Sequence, residues 1–304
     1  MFFMDESFGL WYGNERTFSF GGLHMMELTH EAVLRLLPDR PADGHKGDFG
    51  KILLLCGSRG YTGAAALAAM GALRTGAGLV YLGVPESIYA IEAIKLTEPV
   101  VFPLPDEGGG YSLKAAEEII PFLPKMDAVL IGPGMGQSDG ALAVLKTVLT
   151  EFHGPVVVDA DGINLLSKHK YVLRGRTEAT ILTPHAGEFR RLAGTVTASR
   201  ECAAKNLALD LGCIVVLKGH HTVITDGSSI IRNPTGNPGM AVGGSGDVLS
   251  GVIVSLLGQG LKPLDAAAAG AWFHGAAGDR CAAKLGQYGM LPSDMIQELP
   301  RLMI

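Results

Sequence analysis

The sequence lacks the features that mark several large protein classes. It has no block of lysine or arginine and its formal net charge is −5, so the electrostatic footprint of a nucleic-acid binder is missing. Its four cysteines, Cys56, Cys202, Cys213 and Cys281, share no C-x-x-C spacing and read as small buried hydrophobes in a reducing compartment. The first residues carry Asp5 and Glu6 without a basic start, unlike a secretory signal. The most apolar stretch, Leu249 to Ala277, is broken by Gln259, Lys262, Asp265 and several glycines, which suits a pair of buried helices rather than a membrane span. There is no G-x-x-x-x-G-K-[ST] loop, no G-x-S-x-G elbow and no H-E-x-x-H pair, which excludes the P-loop, hydrolase-elbow and zincin readings. A cytoplasmic globular enzyme is the default expectation.

The 304 residues, 47% of them hydrophobic, suffice for one large α/β domain with a substantial core. From Lys51 onward, short apolar runs bounded by glycine alternate with helical segments. KILLLC, LVYLGV, VVFP, DAVLIG, PVVVDAD, ATILT and CIVVLKG read as strands buried on both faces. GAAALAAMGALRTG, residues 86–95, SLKAAEEIIPFL with Ser112 as N-cap, and segments near 138–152, 162–168 and 199–211 read as helices. TVITDG and SIIRN form a hairpin-like pair, and the chain is almost wholly helical after Gly246. This alternation predicts a mainly parallel sheet with helices on both faces. Residues 1–25 share none of the rhythm and are expected to be an irregular leader. MELTHEAVLRLLPDR from Met26 looks like a natural start, and 26–304 is read as a single domain.

In such sheets, ligands collect at the carboxyl ends of the strands, and the distinctive motifs fall there. NPTGNPGMAVGGSGDVLSG, Asn233 to Gly251, sets Gly243-Gly244-Ser245-Gly246 at the mouth of a helix beginning near Asp247. Such glycines let successive N–H groups turn toward one anion, and the helix dipole adds positive character. A carboxylate beside a bound phosphate is repelled unless its task is to take a proton from an attacking hydroxyl. The alternative is that Asp247 simply caps the helix. VVVDADGINLL puts Asp159 and Asp161 at a strand end, where they suit Mg²⁺, ribose hydroxyls or, for Asp161, helix capping. LTPHAGEF places His185 after Pro184, with Glu188 one turn further on, and LKGHHTVITDG places Lys218 at a strand end, suited to a phosphate. His220 and His221 are adjacent and do not suit a metal site. IGPGMG, Ile131 to Gly136, is no dinucleotide fingerprint, because its third glycine comes too early.

NPTGNPGMAVGGSGD, together with HKGDFGKILLLCGSRGYTGAAAL and LTPHAGEF, resembles the ADP-dependent (S)-NAD(P)H-hydrate dehydratases, with Ser245 where the family pattern is usually written with Thr. The resemblance covers roughly 30–300 and implies a ribokinase-like three-layer fold. It implies that Asp247 is the catalytic base, with Gly244, Ser245 and Gly246, alongside Gly243, forming the anion hole. Gly63, Ala64, Gly134, Gly136 and His185 would contact the hydrated dinucleotide. Lys218 and the segment Gly219, His220, His221 and Thr222, with Gly246, would hold the nucleotide. Glu188, and Asp159 directly or through water, would organise Mg²⁺. The implied reaction converts NADHX or NADPHX to the working cofactor with ADP as phosphoryl donor. A homotetramer is implied, and a separate epimerase, since the stretch ahead of Lys51 is too short to be one. The rivals are a ribokinase-like kinase of a vitamin precursor such as hydroxyethylthiazole, and a catalytically silent nucleotide sensor. The second would have lost the acid or the glycine cradle, and both are intact.

Overall fold

A computed structural model describes residues 16–20, 23–194 and 198–304. The chain opens with a hairpin of β1 (Arg16–Phe20) and β2 (Leu23–Glu27), followed by α1 (His30–Leu34). The strand–helix rhythm then runs through β3 (Lys51–Leu55), α2 (Thr62–Arg74), β4 (Leu79–Pro85), α3 (Glu86–Lys95) and β5 (Val100–Leu104). A small hairpin, β6 (Asp106–Glu107) and β7 (Gly110–Tyr111), leads into α4 (Leu113–Glu118) and β8 (Ala128–Ile131). Next come α5 (Asp139–Glu151), β9 (Val156–Val158), α6 (Asp161–Lys168), β10 (Thr180–Leu182), α7 (Ala186–Ala193) and α8 (Arg200–Leu211). β11 (Ile214–Leu217), β12 (Val223–Thr225) and β13 (Ile230–Arg232) precede the final helices α9 (Ser245–Gly258), α10 (Pro263–Leu285) and α11 (Pro292–Glu298).

The main sheet has eleven strands in the order β1-β2-β13-β12-β11-β10-β9-β8-β3-β4-β5. Every neighbouring pair from β11 to β5 is parallel, so all their carboxyl ends point the same way. Successive side chains alternate between faces, and here both faces are covered. Ile52 and Leu54 join one core with α2, α9 and α10, whereas Leu53 and Leu55 join the other with α5, α6 and α8. That two-sided burial explains why the strands read as unbroken apolar runs, and it yields the expected three layers.

Two expectations need correction. Within 1–25, Arg16–Phe20 and Leu23–Glu27 are strands, not irregular chain; residues 1–15, 21 and 22 lie outside the described residues. Sheet pairing uses backbone groups, which a side-chain period does not report. Met26 pairs with Ile231 on the open side of β13, and Arg232 Nε donates to Glu27 at 2.7 Å. The helix expected over SLKAAEEIIPFL ends at Glu118, because Pro121 has no N–H and disfavours helix before it. Ser112 holds the N-cap position but its hydroxyl makes no cap bond. Of the cysteines, Cys56, Cys213 and Cys281 are buried, and Cys202 is part-exposed.

α2 and α9 are the two helices that carry the central glycines of the site, and they meet through small residues. A Cβ on Gly251 would fall onto the carbonyl oxygen of Ala68, and one on Gly71 would lie 2.9 Å from the Val248 oxygen. Neither backbone can retreat without disturbing the core. Gly251→Ala is therefore expected to destabilise the protein by about 1–3 kcal/mol through overpacking, read as a lower urea midpoint. An unchanged midpoint would show that the two helices separate freely.

Candidate active site

The parallel strands deliver their following residues to one rim. Gly132 N donates to Leu55 O at 3.2 Å, Asp159 N to Ile131 O at 3.1 Å, Thr183 N to Val158 O at 3.3 Å, and Lys218 N to Pro184 O at 2.9 Å. The ladder thus continues one residue past the strands and holds Asp159 and Lys218 by their backbones. Ala160 then turns through φ 50, a conformation that costs a non-glycine residue energy and tends to survive at functional sites.

A buried charge cluster forms there. Lys218 Nζ lies 2.8 Å from Asp159 Oδ1 and 3.9 Å from Glu188 Oε2. Burial by itself would discharge Lys218, but Asp159 and Glu188 outweigh it and raise its pKa. Glu188 is raised mainly by burial, with Asp159 adding to it against the pull of Lys218. The start of α9 rests on this cluster: a Cβ on Gly246 would stand 3.2 Å from Lys218 Nζ and 3.8 Å from Asp159 Oδ2.

α9 begins after Gly244, whose φ of 96 places it in the left-handed region, and no side chain caps the helix. First-turn N–H groups have no partner within a helix, so the turn presents donors and positive potential. A side chain on Gly244 would collide with Leu67, whereas Gly243 faces open space. Asp247 sits in that first turn without capping it. Burial, then the charge of Asp159, push its carboxyl up to about 7; Lys218 opposes them, and Asp161 and Glu188 add to them. A carboxyl held near neutrality lies in the range where a general base is most effective.

His274 was not singled out by the sequence. Its Nε2 donates to Ser245 O at 2.8 Å and lies 3.3 Å from Ser245 Oγ. Burial holds its pKa down at about 4, so it is a neutral pin under the first turn of α9. The two residues are separated by 29 positions, and no local motif signals the contact.

The predicted substrate glycines converge from two loops. Gly63 is the second residue of α2, and nothing would meet a Cβ placed on it within 4 Å. A Cβ on Gly134 would lie 2.9 Å from both Ala64 Cβ and Tyr61 Cβ, and Ser58 Oγ donates to Gly134 O at 2.8 Å. Gly136 N donates to Asp161 Oδ2 at 3.0 Å. Asp161 therefore ties the glycine loop to the rim rather than capping α6, whose N-cap position is Ala160.

His185 is the N-cap of α7. Its Nδ1 accepts from Gly187 N at 2.9 Å and Glu188 N at 3.3 Å, while Glu188 Oε2 accepts from His185 N at 2.8 Å. With Nδ1 accepting, a neutral ring carries its proton on Nε2, and its side chain is 55% exposed. His185 thus has a structural duty as the cap of α7. His185→Ala is expected to cost about 0.5–2 kcal/mol of stability, measured as a lower melting temperature. No shift would show that the ring does not hold the helix.

In the segment Gly219–Thr222, Arg200 donates to His220 O at 2.7 Å, Leu217 O at 3.2 Å and Lys218 O at 3.3 Å. Thr222 Oγ1 donates to Gly219 O at 3.1 Å, and the rings of His220 and His221 lie 3.9 Å apart. The Lys218 side chain turns away from this loop into the carboxylates. Among the described residues, no group of three or more His, Cys, Asp or Glu is close enough to cage a metal ion directly. A cavity of 660 Å³ lined by residues including Glu86, Pro105, Asp106, Ser112 and Glu118 shares no residue with the cluster around Asp247, so it is not taken as the active site.

The chain shares its fold with a ribokinase-like superfamily protein from Enterococcus faecalis V583, with a TM-score of 0.82 at 28% identity over 95% of this chain and 98% of that one. An ADP/ATP-dependent NAD(P)H-hydrate dehydratase from Bacillus subtilis, co-crystallised with ATP and Mg²⁺, gives a TM-score of 0.79 at 33% identity, covering 90% of this chain and 96% of that one. A hydroxyethylthiazole kinase from Pyrococcus horikoshii, at 17% identity and a TM-score of 0.53, shares the fold alone. The protein is thus a ribokinase-like α/β protein. Residues 52–301 match the NAD(P)H-hydrate dehydratase family model, and the chain belongs to that family. It is 46% identical over 272 residues, 87% of its length, to a bifunctional NAD(P)H-hydrate repair enzyme from Moorella thermoacetica. An ADP-dependent (S)-NAD(P)H-hydrate dehydratase from Neisseria meningitidis serogroup B is 39% identical over 249 residues, 79% of this chain and 80% of that protein. The chain spans about half the length of the bifunctional relatives it matches.

Proposed function

We propose that this chain dehydrates (6S)-NAD(P)H-hydrate at the expense of ADP, releasing NAD(P)H, AMP and phosphate. The observation that carries the reading is Asp247, a buried carboxyl raised to about 7 in the uncapped first turn of α9. The C6 hydroxyl of the hydrated ring gives its proton to Asp247 as its oxygen bonds to the terminal phosphorus of ADP and the bond to AMP breaks. Amides of Gly243–Gly246 meet the transferred group, and such preorganised donors usually contribute the largest share of catalysis. The C6–O bond then breaks, phosphate leaves, and a proton lost from the adjacent ring carbon restores the double bond. Phosphate is a far better leaving group than hydroxide, which is why a nucleotide is consumed.

Asp159, Glu188, Asp161 and Asp247 outnumber Lys218 around the site, and a phosphate-rich ligand adds further negative charge. Hard oxygen donors in that excess suit Mg²⁺. Because Asp159 and Glu188 already face Lys218, they would hold the ion through water, and it would neutralise phosphate charge. Gly63, Ala64, Gly134, Gly136 and His185 take the dinucleotide in this reading, and Gly219–Thr222 the nucleotide. The catalytic unit in this reading includes the β1–β2 hairpin that joins the main sheet, and is expected as a cytoplasmic homotetramer functionally linked to an epimerase activity. No helix among the described residues is long and apolar enough to cross a membrane.

Incubation with hydrated NADH, Mg²⁺ and either ADP or ATP tests the proposal. Recovery of the reduced-ring absorbance with stoichiometric free phosphate is expected. A stable phosphorylated alcohol with no ring recovery would indicate a kinase instead, and no reaction with either nucleotide would sink the assignment.

A further inference from the structure

α3 is built inside out at one position. Ile94 is 84% exposed and Ile91 45%, whereas Glu92 between them is fully buried. Glu92 lies one turn below Ile88, whose Cδ1 would sit 3.1 Å from a Cβ on Gly57, so both point under the loop that follows β3. Burial pushes the Glu92 carboxyl up, with Lys95 pulling it back. Its Oε1 lies 3.3 Å from Lys95 Nζ, and its Oε2 has no hydrogen-bond partner. An isoleucine exposed in exchange for a buried, half-satisfied carboxylate is a local loss, and such losses concentrate at functional sites.

The compensation lies at the far end of Lys95, whose Nζ donates to Thr62 Oγ1 at 2.6 Å. Thr62 is the first residue of α2, and the N-cap, Tyr61, supplies no side-chain cap. Lys95 therefore provides the side-chain anchor of that turn. An ammonium group beside a helix N-terminus is electrostatically unfavourable, and Glu92 supplies the negative charge that keeps it there. Gly63 and Ala64 come immediately after Thr62.

We propose that Glu92 is a positioning residue, which through Lys95 and the Thr62 hydroxyl sets the first turn of α2 and with it the Gly63–Ala64 platform for the hydrated dinucleotide. The substrate named here rests on the function proposed above; the mechanical link does not. The segment assigned to the nucleotide follows β11, and α2 meets the start of α9 only further along, where Leu67 lies beside Gly244.

The test uses Thr62→Val, Thr62→Ser and Glu92→Gln in the full chain, with two readouts. In the first, Thr62→Val and Glu92→Gln raise KM for hydrated NADH by about tenfold, the loss of one hydrogen bond to a charged group. Their kcat stays within about twofold, ADP affinity is unchanged, and Thr62→Ser restores the parent KM. In the second, amide hydrogen exchange of residues 58–66 accelerates in Thr62→Val and Glu92→Gln but not in Thr62→Ser. An unchanged KM beside an active parent enzyme overturns the positioning role while leaving the proposed function intact. If the parent proves inactive on hydrated NADH, the exchange readout alone decides, and equal exchange in Thr62→Val and the parent overturns the link. A fall in ADP affinity equal to the rise in KM would mean a general loosening of structure and would also overturn it.

Discussion

Replacing Asp247 by asparagine is expected to lower turnover by about 10²–10⁴-fold, the range a positioned base supplies, while ADP affinity stays within a few-fold. The amides of the first turn of α9 are untouched by the change, so the proposed anion cradle would persist without its proposed proton acceptor. The substitution should also raise stability, in a pH-dependent way. The carboxyl moves from 3.8 in the unfolded chain to about 7 in the folded one, so the folded state binds its proton more tightly. The penalty for ionising it is absent below 3.8, grows between 3.8 and about 7, and is complete above that. Asparagine carries no such penalty. Asp247→Asn should therefore exceed the parent by roughly 1–3 kcal/mol at pH 8, allowing for partial exposure, and match it at pH 3.5. In the parent, kcat/KM for the free enzyme should fall as pH drops below about 7. Activity within a few-fold of the parent, or identical unfolding curves at pH 8, would remove Asp247 from its role.

Lys218→Met should be the most damaging change to folding in this region. The ammonium is the partner of Asp159, which is 1% exposed, and of Glu188, which is 4% exposed. Breaking a buried ion cluster by removing one member typically costs about 3–5 kcal/mol, because the remaining charges lose their compensation. The sign with pH follows from the raised pKa of Lys218. Its contribution is complete below the unfolded value of 10.5 and is lost only as pH rises through the higher folded value. The variant should therefore be weaker than the parent across the neutral range. The gap should narrow in acid as Glu188, already raised by burial, takes a proton. Urea midpoints at pH 7 and pH 4 measure both effects. Equal midpoints at pH 7 would show that the cluster is solvated enough to need no cation.

The sequence carries the layered fold plainly because each central strand is buried on both faces. A run such as Val156–Val158 has no solvent face to interrupt it, and the glycines that bound such runs mark the turns. The glycine run at the start of α9 and the place of Asp247 in its first turn are equally legible, since both lie within one continuous stretch. Other features depend on contacts between distant parts of the chain and leave no local pattern. Lys218 reaches Asp159 across 59 positions, so at its strand end it suggests a phosphate ligand rather than a buried ion pair. His274 supports Ser245 from another helix. Glu92 on an amphipathic helix suggests solvent, and only the fold turns it inward. The β1–β2 hairpin is missed because backbone pairing, not side-chain order, places it.

The rim residues arrive on five neighbouring parallel strands, β3, β8, β9, β10 and β11; β8 to β11 follow one another through helical crossovers, and β3 is reached only across the intervening β4 and β5. Closing such distant pairings is entropically slow. Asp159 and Lys218 meet only once β9, β10 and β11 are in register, and the start of α9 reaches them from later still in the chain. Assembly of this site is therefore expected late in refolding, and regain of the proposed activity should lag behind regain of helical signal.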